Sequence, residues 1–154
     1  MLSDFMTWRS AQEGTTEAAW VKLTNCYQPS STEAVAVGLA YVGSFCRYYG
    51  SLVVSRLTTY DLGFHIVLTH ELGHVLNSFH DSVPTPDPAC PAGDFIMSAI
   101  TPNDALTTVD FSSCSKTNIT LFLETDSMVN DCLFRKPFLA QPFSNQEKRK
   151  KSKE

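Results

Sequence analysis

Between positions 70 and 81 the chain reads His-Glu-Leu-Gly-His-Val-Leu-Asn-Ser-Phe-His-Asp, and few backbones can use that spacing. Residues four apart on an α-helix lie one turn above each other on one face, so His70 and His74 can aim both rings at a single point. The stretch from Asp61 to Leu76 carries Leu62, Ile66, Val67, Leu72, Val75 and Leu76 at three- and four-residue intervals, which predicts a helix there. For His80 to reach the same point, the helix must stop and the chain must turn sharply, commonly through a left-handed residue. Asn77 stands at that turn, and asparagine is second only to glycine in tolerating it. Three neutral imidazoles around one ion leave the fourth tetrahedral position to water, which is the composition of a catalytic zinc site rather than a closed structural one. Glu71 projects close to the same face and is placed to hold that water rather than to bind the ion. The competing reading is an amphipathic helix with three unrelated surface or core histidines; His80 and the turn-forming Asn77 weigh against it. His65 serves as an internal control. It lies five residues before His70, about 140° round the helix, and is predicted to face away as a packing or surface residue.

The remaining chain supports one domain of mixed α and β structure, since 154 residues with 43% hydrophobic content fit a single globular unit. Ser3 is expected to cap a helix over Asp4 to Glu13 that Gly14 ends. Strands are expected over Ala18 to Leu23, Val35 to Phe45 and Ser51 to Leu57, the last two neighbouring each other through a turn at Tyr49-Gly50. Pro84, Pro86, Pro88 and Pro91 make residues 82–94 a loop, because none of them can donate a backbone hydrogen bond. A last helix is expected over Ser113 to Glu124, burying Ile119, Phe122 and Leu123. The longest apolar run, Ala34 to Val42, is nine residues and far short of the roughly 20 that span a bilayer.

Charge narrows the function classes further. The net charge is −4, yet Lys148, Arg149, Lys150, Lys151 and Lys153 crowd the last eight residues, so the body is distinctly acidic. An acidic body argues against nucleic-acid binding, which needs a basic face. Residues 138–154 read as a basic, disordered, solvated tail. Five cysteines (Cys26, Cys46, Cys90, Cys114, Cys132) are widely spaced with no Cys-x-x-Cys pair. They allow either disulfides with one thiol left over or five reduced, buried thiols. No basic start followed by an apolar stretch precedes a cleavage site, so the chain is read as cytosolic or as lacking its beginning.

The elongated histidine motif followed by Asp81, and then Phe95-Ile96-Met97-Ser98, resembles the metzincins, zinc proteases with a methionine turn. Gly38-Leu39-Ala40-Tyr41-Val42-Gly43, Phe111-Ser112-Ser113-Cys114-Ser115, and Cys132-Leu133 with Lys136-Pro137 resemble the adamalysin (reprolysin) branch. Asn77 after His-Glu-Leu-Gly-His-Val is most similar to the secreted ADAMTS proteases. The resemblance runs patchily from about residue 3 to 137. It implies a partial α/β (α+β) catalytic domain over residues 1–137, of the zincin-like metzincin type, with a mixed sheet, a central active-site helix and a C-terminal helix. It implies a zinc endopeptidase cutting internal peptide bonds, with one Zn²⁺ on His70, His74 and His80, Glu71 as general acid/base and Met97 as the apolar floor. Strand 38–43 would be the edge on which an extended peptide lies, Ser98 to Thr101 would line the pocket after the cut, and the setting would be extracellular. The family pairing implies Cys46–Cys132 and Cys90–Cys114, with Cys26 left over. Catalytic domains of the family run to roughly 200 residues or more, so the chain is expected to lack the opening strands and first helix. The family's calcium site is not expected, because Arg135 stands where an oxygen ligand belongs, strand 18–24 has no acid, and calcium needs six or more oxygens. Asn118-Ile119-Thr120 could carry a glycan in the secretory pathway. A non-catalytic zinc-binding interaction module is the alternative function, and the oligomeric state stays open.

Overall fold

A computed structural model describes residues 1–12, 17–24, 38–55, 61–82, 89–99, 109–125 and 132. Its elements are α1 (Leu2–Ser10), β1 (Trp20–Thr24), β2 (Gly38–Ala40), β3 (Ser51–Ser55), α2 (Asp61–Val75) and α3 (Ser113–Leu123). The strands form a mixed sheet in the order β1-β3-β2, with β1 parallel and β2 antiparallel to β3. β3 is central and buried along its whole length, as expected of Leu-Val-Val between neighbours on both sides.

Period-two alternation sends Leu52 and Val54 to the same face. There they meet Val75 of α2, surrounded by Ala19, Ala40, Phe45, Phe64, Val67, Leu68 and Leu72. This is the core. A second cluster, Ile96 and Met97 with Ile66 and Phe111, packs on another side of α2. The central helix is therefore wedged between the sheet and the turn that contains Met97, which fixes its rotation about its own axis.

Several expectations shift. α1 starts at Leu2 with Met1 at its N-cap and no side-chain cap bond, so Ser3 lies inside the helix, where its carbonyl accepts from Thr7 Oγ1. The helix ends at Ser10 because Ala11 and Gln12 donate to Trp8 and Arg9 in a tightened last turn; Glu13 and Gly14 lie outside the described residues. β1 begins at Trp20 rather than Ala18, because the Ala18 carbonyl accepts from Cys46 instead of joining the ladder. The strand expected over Val35 to Phe45 is, within the described residues, only Gly38–Ala40. Tyr41 to Phe45 instead forms a turn whose Gly43 and Phe45 N–H groups donate to the His74 and Val75 carbonyls at the end of α2, 2.9 and 3.1 Å away. These donors satisfy carbonyls that a helix end leaves without intrahelical partners. β2 and β3 are neighbours, as the sequence suggests. α3 ends one residue early, with Glu124 as its C-cap, and its fully buried contact is Ser115, while Ile119, Phe122 and Leu123 are half-buried. Pro84, Pro86, Pro88, Cys26, Arg135 and the tail at 138–154 lie outside the described residues. Among the described residues no helix is long and apolar enough to cross a membrane.

Candidate metal centre

α2 delivers His70 and His74 one turn apart, and the backbone then leaves the helix through Asn77, whose φ is 72°. This left-handed residue costs about 1–2 kcal/mol in most side chains and less in asparagine. Gly43 lies against it: a Cβ there would sit 2.9 Å from the Asn77 side-chain oxygen, and Gly43 itself has φ 63°. The reversal returns His80 to the helix face. His80 Nε2 lies 3.1 Å from Nε2 of both His70 and His74. A tetrahedral zinc at about 2.0–2.1 Å from each nitrogen separates its ligands by about 3.3 Å, so the spacing fits one small ion.

The outward-facing nitrogens of two of these rings fix their chemistry. His70 Nδ1 is 2.7 Å from the Ile96 carbonyl and His74 Nδ1 is 2.8 Å from the Ser78 carbonyl. A carbonyl only accepts, so each Nδ1 carries the proton and each Nε2 presents a lone pair to the shared point. With His80 Nε2 within 3.1 Å of both, the three nitrogens form a donor set that suits zinc. Burial keeps the rings neutral: it pushes the His70 pKa down to about 4, with His74 and His80 adding to the effect against the Ile96 carbonyl. His74 and His80 are lowered as well, again chiefly by burial. His70, His74 and His80 are the group among the described residues able to hold an ion. His65, by contrast, is exposed and takes no part.

Glu71 is 4% exposed, and its Oε2 has no hydrogen-bond partner. Removal from water disfavours the carboxylate and pushes its pKa up to about 7. Met97 is fully buried below the helix. It reaches α2 at Gly73, where an added Cβ would collide with its sulfur and lie 2.9 Å from Phe111 Cε1.

The geometry also reveals residues to which sequence reasoning assigned no role. Asp81, directly after His80, is 3% exposed and accepts from Ser112 Oγ at 2.6 Å and Ser115 Oγ at 3.2 Å. Ser112 is at the same time the N-cap of α3, accepting from the Ser115 N–H. The Asp81 N–H donates to the Met97 carbonyl at 2.9 Å. One residue thus ties the His80 turn both to α3 and to the turn carrying Met97. A carboxylate following a motif histidine is a signal the sequence did contain; its serine partners, 31 and 34 positions away, were not. Disulfides Cys46–Cys132 and Cys90–Cys114 brace the region, with Cα–Cα distances of 5.9 and 6.2 Å. Asn118 is half-buried on α3, Ser98 is buried next to Met97, and Ile100 and Thr101 lie outside the described residues.

The chain is similar in sequence to known proteins. The chain is 37% identical over 115 residues to the disintegrin and metalloproteinase domain-containing protein 15 of Rattus norvegicus, covering 71% of this chain and 13% of that protein. It is 33% identical over 126 residues to the zinc metalloproteinase-disintegrin-like brevilysin H2a of Gloydius brevicauda, covering 79% and 28%. It is 27% identical over 113 residues to a disintegrin and metalloproteinase with thrombospondin motifs 13 of Mus musculus, covering 68% and 8%. The matched part therefore spans less than a third of each of these relatives. A family model, that of the reprolysin (M12B) family zinc metalloproteases, matches residues 1–137. With that match covering most of the sequence and three imidazoles converging within it, the chain belongs to the reprolysin (M12B) family of zinc metalloproteases.

Proposed function

We propose that the chain is a zinc endopeptidase that hydrolyses internal peptide bonds of protein substrates outside the cell. The observation that carries this reading is the convergence of three imidazole Nε2 atoms beside a buried carboxyl group whose Oε2 has no hydrogen-bond partner. Zinc bound by His70, His74 and His80 would supply positive charge to polarise a carbonyl and to acidify water. Glu71 takes a proton from the attacking water and returns it to the leaving amine, so one carboxyl group serves both transfers. Its raised proton affinity, near pH 7, suits a group that must accept and then release a proton. The Ile96 and Ser78 carbonyls hold His70 and His74 in the tautomer that turns Nε2 inward.

Substrate binding follows from the sheet. β2 lies at one end of the strand order, so its outer backbone edge has no strand partner among the described residues. An extended peptide added along Gly38–Ala40, the part of residues 38–43 that is strand, would gain main-chain hydrogen bonds and run past Glu71. Met97 would support the imidazoles from below. Two disulfides favour an oxidising compartment, which supports secretion and makes Asn118 a candidate glycan acceptor.

The test is cleavage of a denatured protein substrate by the purified chain, with and without a chelator. Chelator-sensitive cutting that Glu71→Gln reduces at least a hundredfold, while zinc is retained, supports the assignment. Near-normal cutting by that variant refutes it, and no cutting by the zinc-loaded wild type leaves the non-catalytic module as the function.

A further inference from the structure

Gly38 opens β2, and its backbone is not left-handed, so conformation alone does not call for glycine there. Space does. A Cβ built on Gly38 would lie 2.6 Å from Glu71 Cγ and 2.7 Å from Glu71 Cδ, and closer still to Oε1. Carbon atoms prefer about 3.5–4.0 Å, so the Glu71 side chain would have to retreat by about 1 Å. Glu71 is buried, so that retreat means rotation about its own bonds and a new carboxylate position. The contact is not isolated: five residues on, Gly43 meets the Asn77 side chain and donates to the His74 carbonyl. Two glycines thus seat the edge strand and its turn against α2, one opposite the carboxyl group and one at the helix end.

We propose that Gly38 is a positioning residue for the reaction: its missing side chain sets where the Glu71 carboxylate sits relative to the three imidazoles. This rests on the proteolytic reading above and deepens it. The role is specific to glycine, since even a methyl group enters the space that Glu71 occupies. A displacement of about 1 Å at a reacting group can cost up to about a hundredfold in rate.

Two measurements test it. In zinc-loaded wild-type protein, proton NMR should show a nuclear Overhauser contact between Gly38 Hα and Glu71 Hγ; its absence overturns the proposal whether or not the chain is a protease. In Gly38→Ala, kcat on a peptide substrate should fall at least tenfold while KM stays within twofold and one zinc per chain is retained. Unchanged kcat, or a loss confined to KM or to zinc content, overturns it. Should Gly38→Ala fail to fold, Gly38→Ala combined with Glu71→Ala decides: folding of the pair supports the contact, and failure of both shows that the glycine serves the strand alone. A wild-type chain that cuts nothing but shows the proton contact would refute the proteolytic reading and leave the contact standing.

Discussion

Replacing Asp81 by alanine removes the acceptor of two buried hydroxyl donors, Ser112 Oγ at 2.6 Å and Ser115 Oγ at 3.2 Å. Hydrogen bonds to a charged group contribute about 1.5–3 kcal/mol each, and a buried donor left unpaired carries its desolvation cost in full. Taking the low end for both bonds gives a loss of about 3 kcal/mol for Asp81→Ala. Asp81→Asn keeps an oxygen at the Oδ1 position, where both serines donate. The other oxygen, Oδ2, is buried and unpartnered to begin with, so an amide there is no better and little worse off. The asparagine variant should therefore lose about 1 kcal/mol. Urea unfolding of the zinc-free protein with its disulfides intact measures both, provided the slope with denaturant is unchanged between variants. Because Asp81 anchors the turn that presents His80, zinc affinity should also fall about tenfold in the alanine variant, at the low end for groups that support a metal ligand. Equal losses for alanine and asparagine, or an alanine variant within about 0.5 kcal/mol of wild type, would show that the serine contacts do not hold the turn.

Further outcomes follow from the same structure. Glu71 has a folded pKa raised to about 7 against an ordinary 4.5, so the stability it contributes is present below pH 4.5 and lost as pH rises through 7. Zinc-free Glu71→Gln should thus be more stable than zinc-free wild type at pH 8, by up to about 3 kcal/mol, with the gap closing below pH 4.5; thermal unfolding at the two pH values checks it. The histidines act in the opposite sense: with His70 lowered to about 4, the neutral rings favour the fold above 6.5, and that advantage is lost as pH falls from 6.5 toward 4. Acidification through this window should therefore release zinc, which a metal-binding dye reads directly. Asn77→Ala should cost about 1 kcal/mol of stability because the backbone there is left-handed, whereas Asn77→Gly should stay within a few tenths; denaturant midpoints distinguish the two.

Features governed by local physics were legible along the chain. Helical periodicity over Asp61 to Leu76 put His70 and His74 on one face, and the tolerance of asparagine for a left-handed backbone predicted the reversal that Asn77 makes. Local signals misjudged Tyr41 to Phe45, because an apolar run looks the same whether its N–H groups serve a strand or, as here, the end of α2. The groups that support the site come into view in the folded chain. The Ile96 carbonyl that orients His70 is 26 residues away, the serines that hold Asp81 are 31 and 34 away, and Gly38 meets Glu71 from another element. Such partners have no period and no local propensity. They become neighbours only when the sheet, the central helix and the turn at Met97 pack together, so their identity follows from packing and not from spacing along the chain.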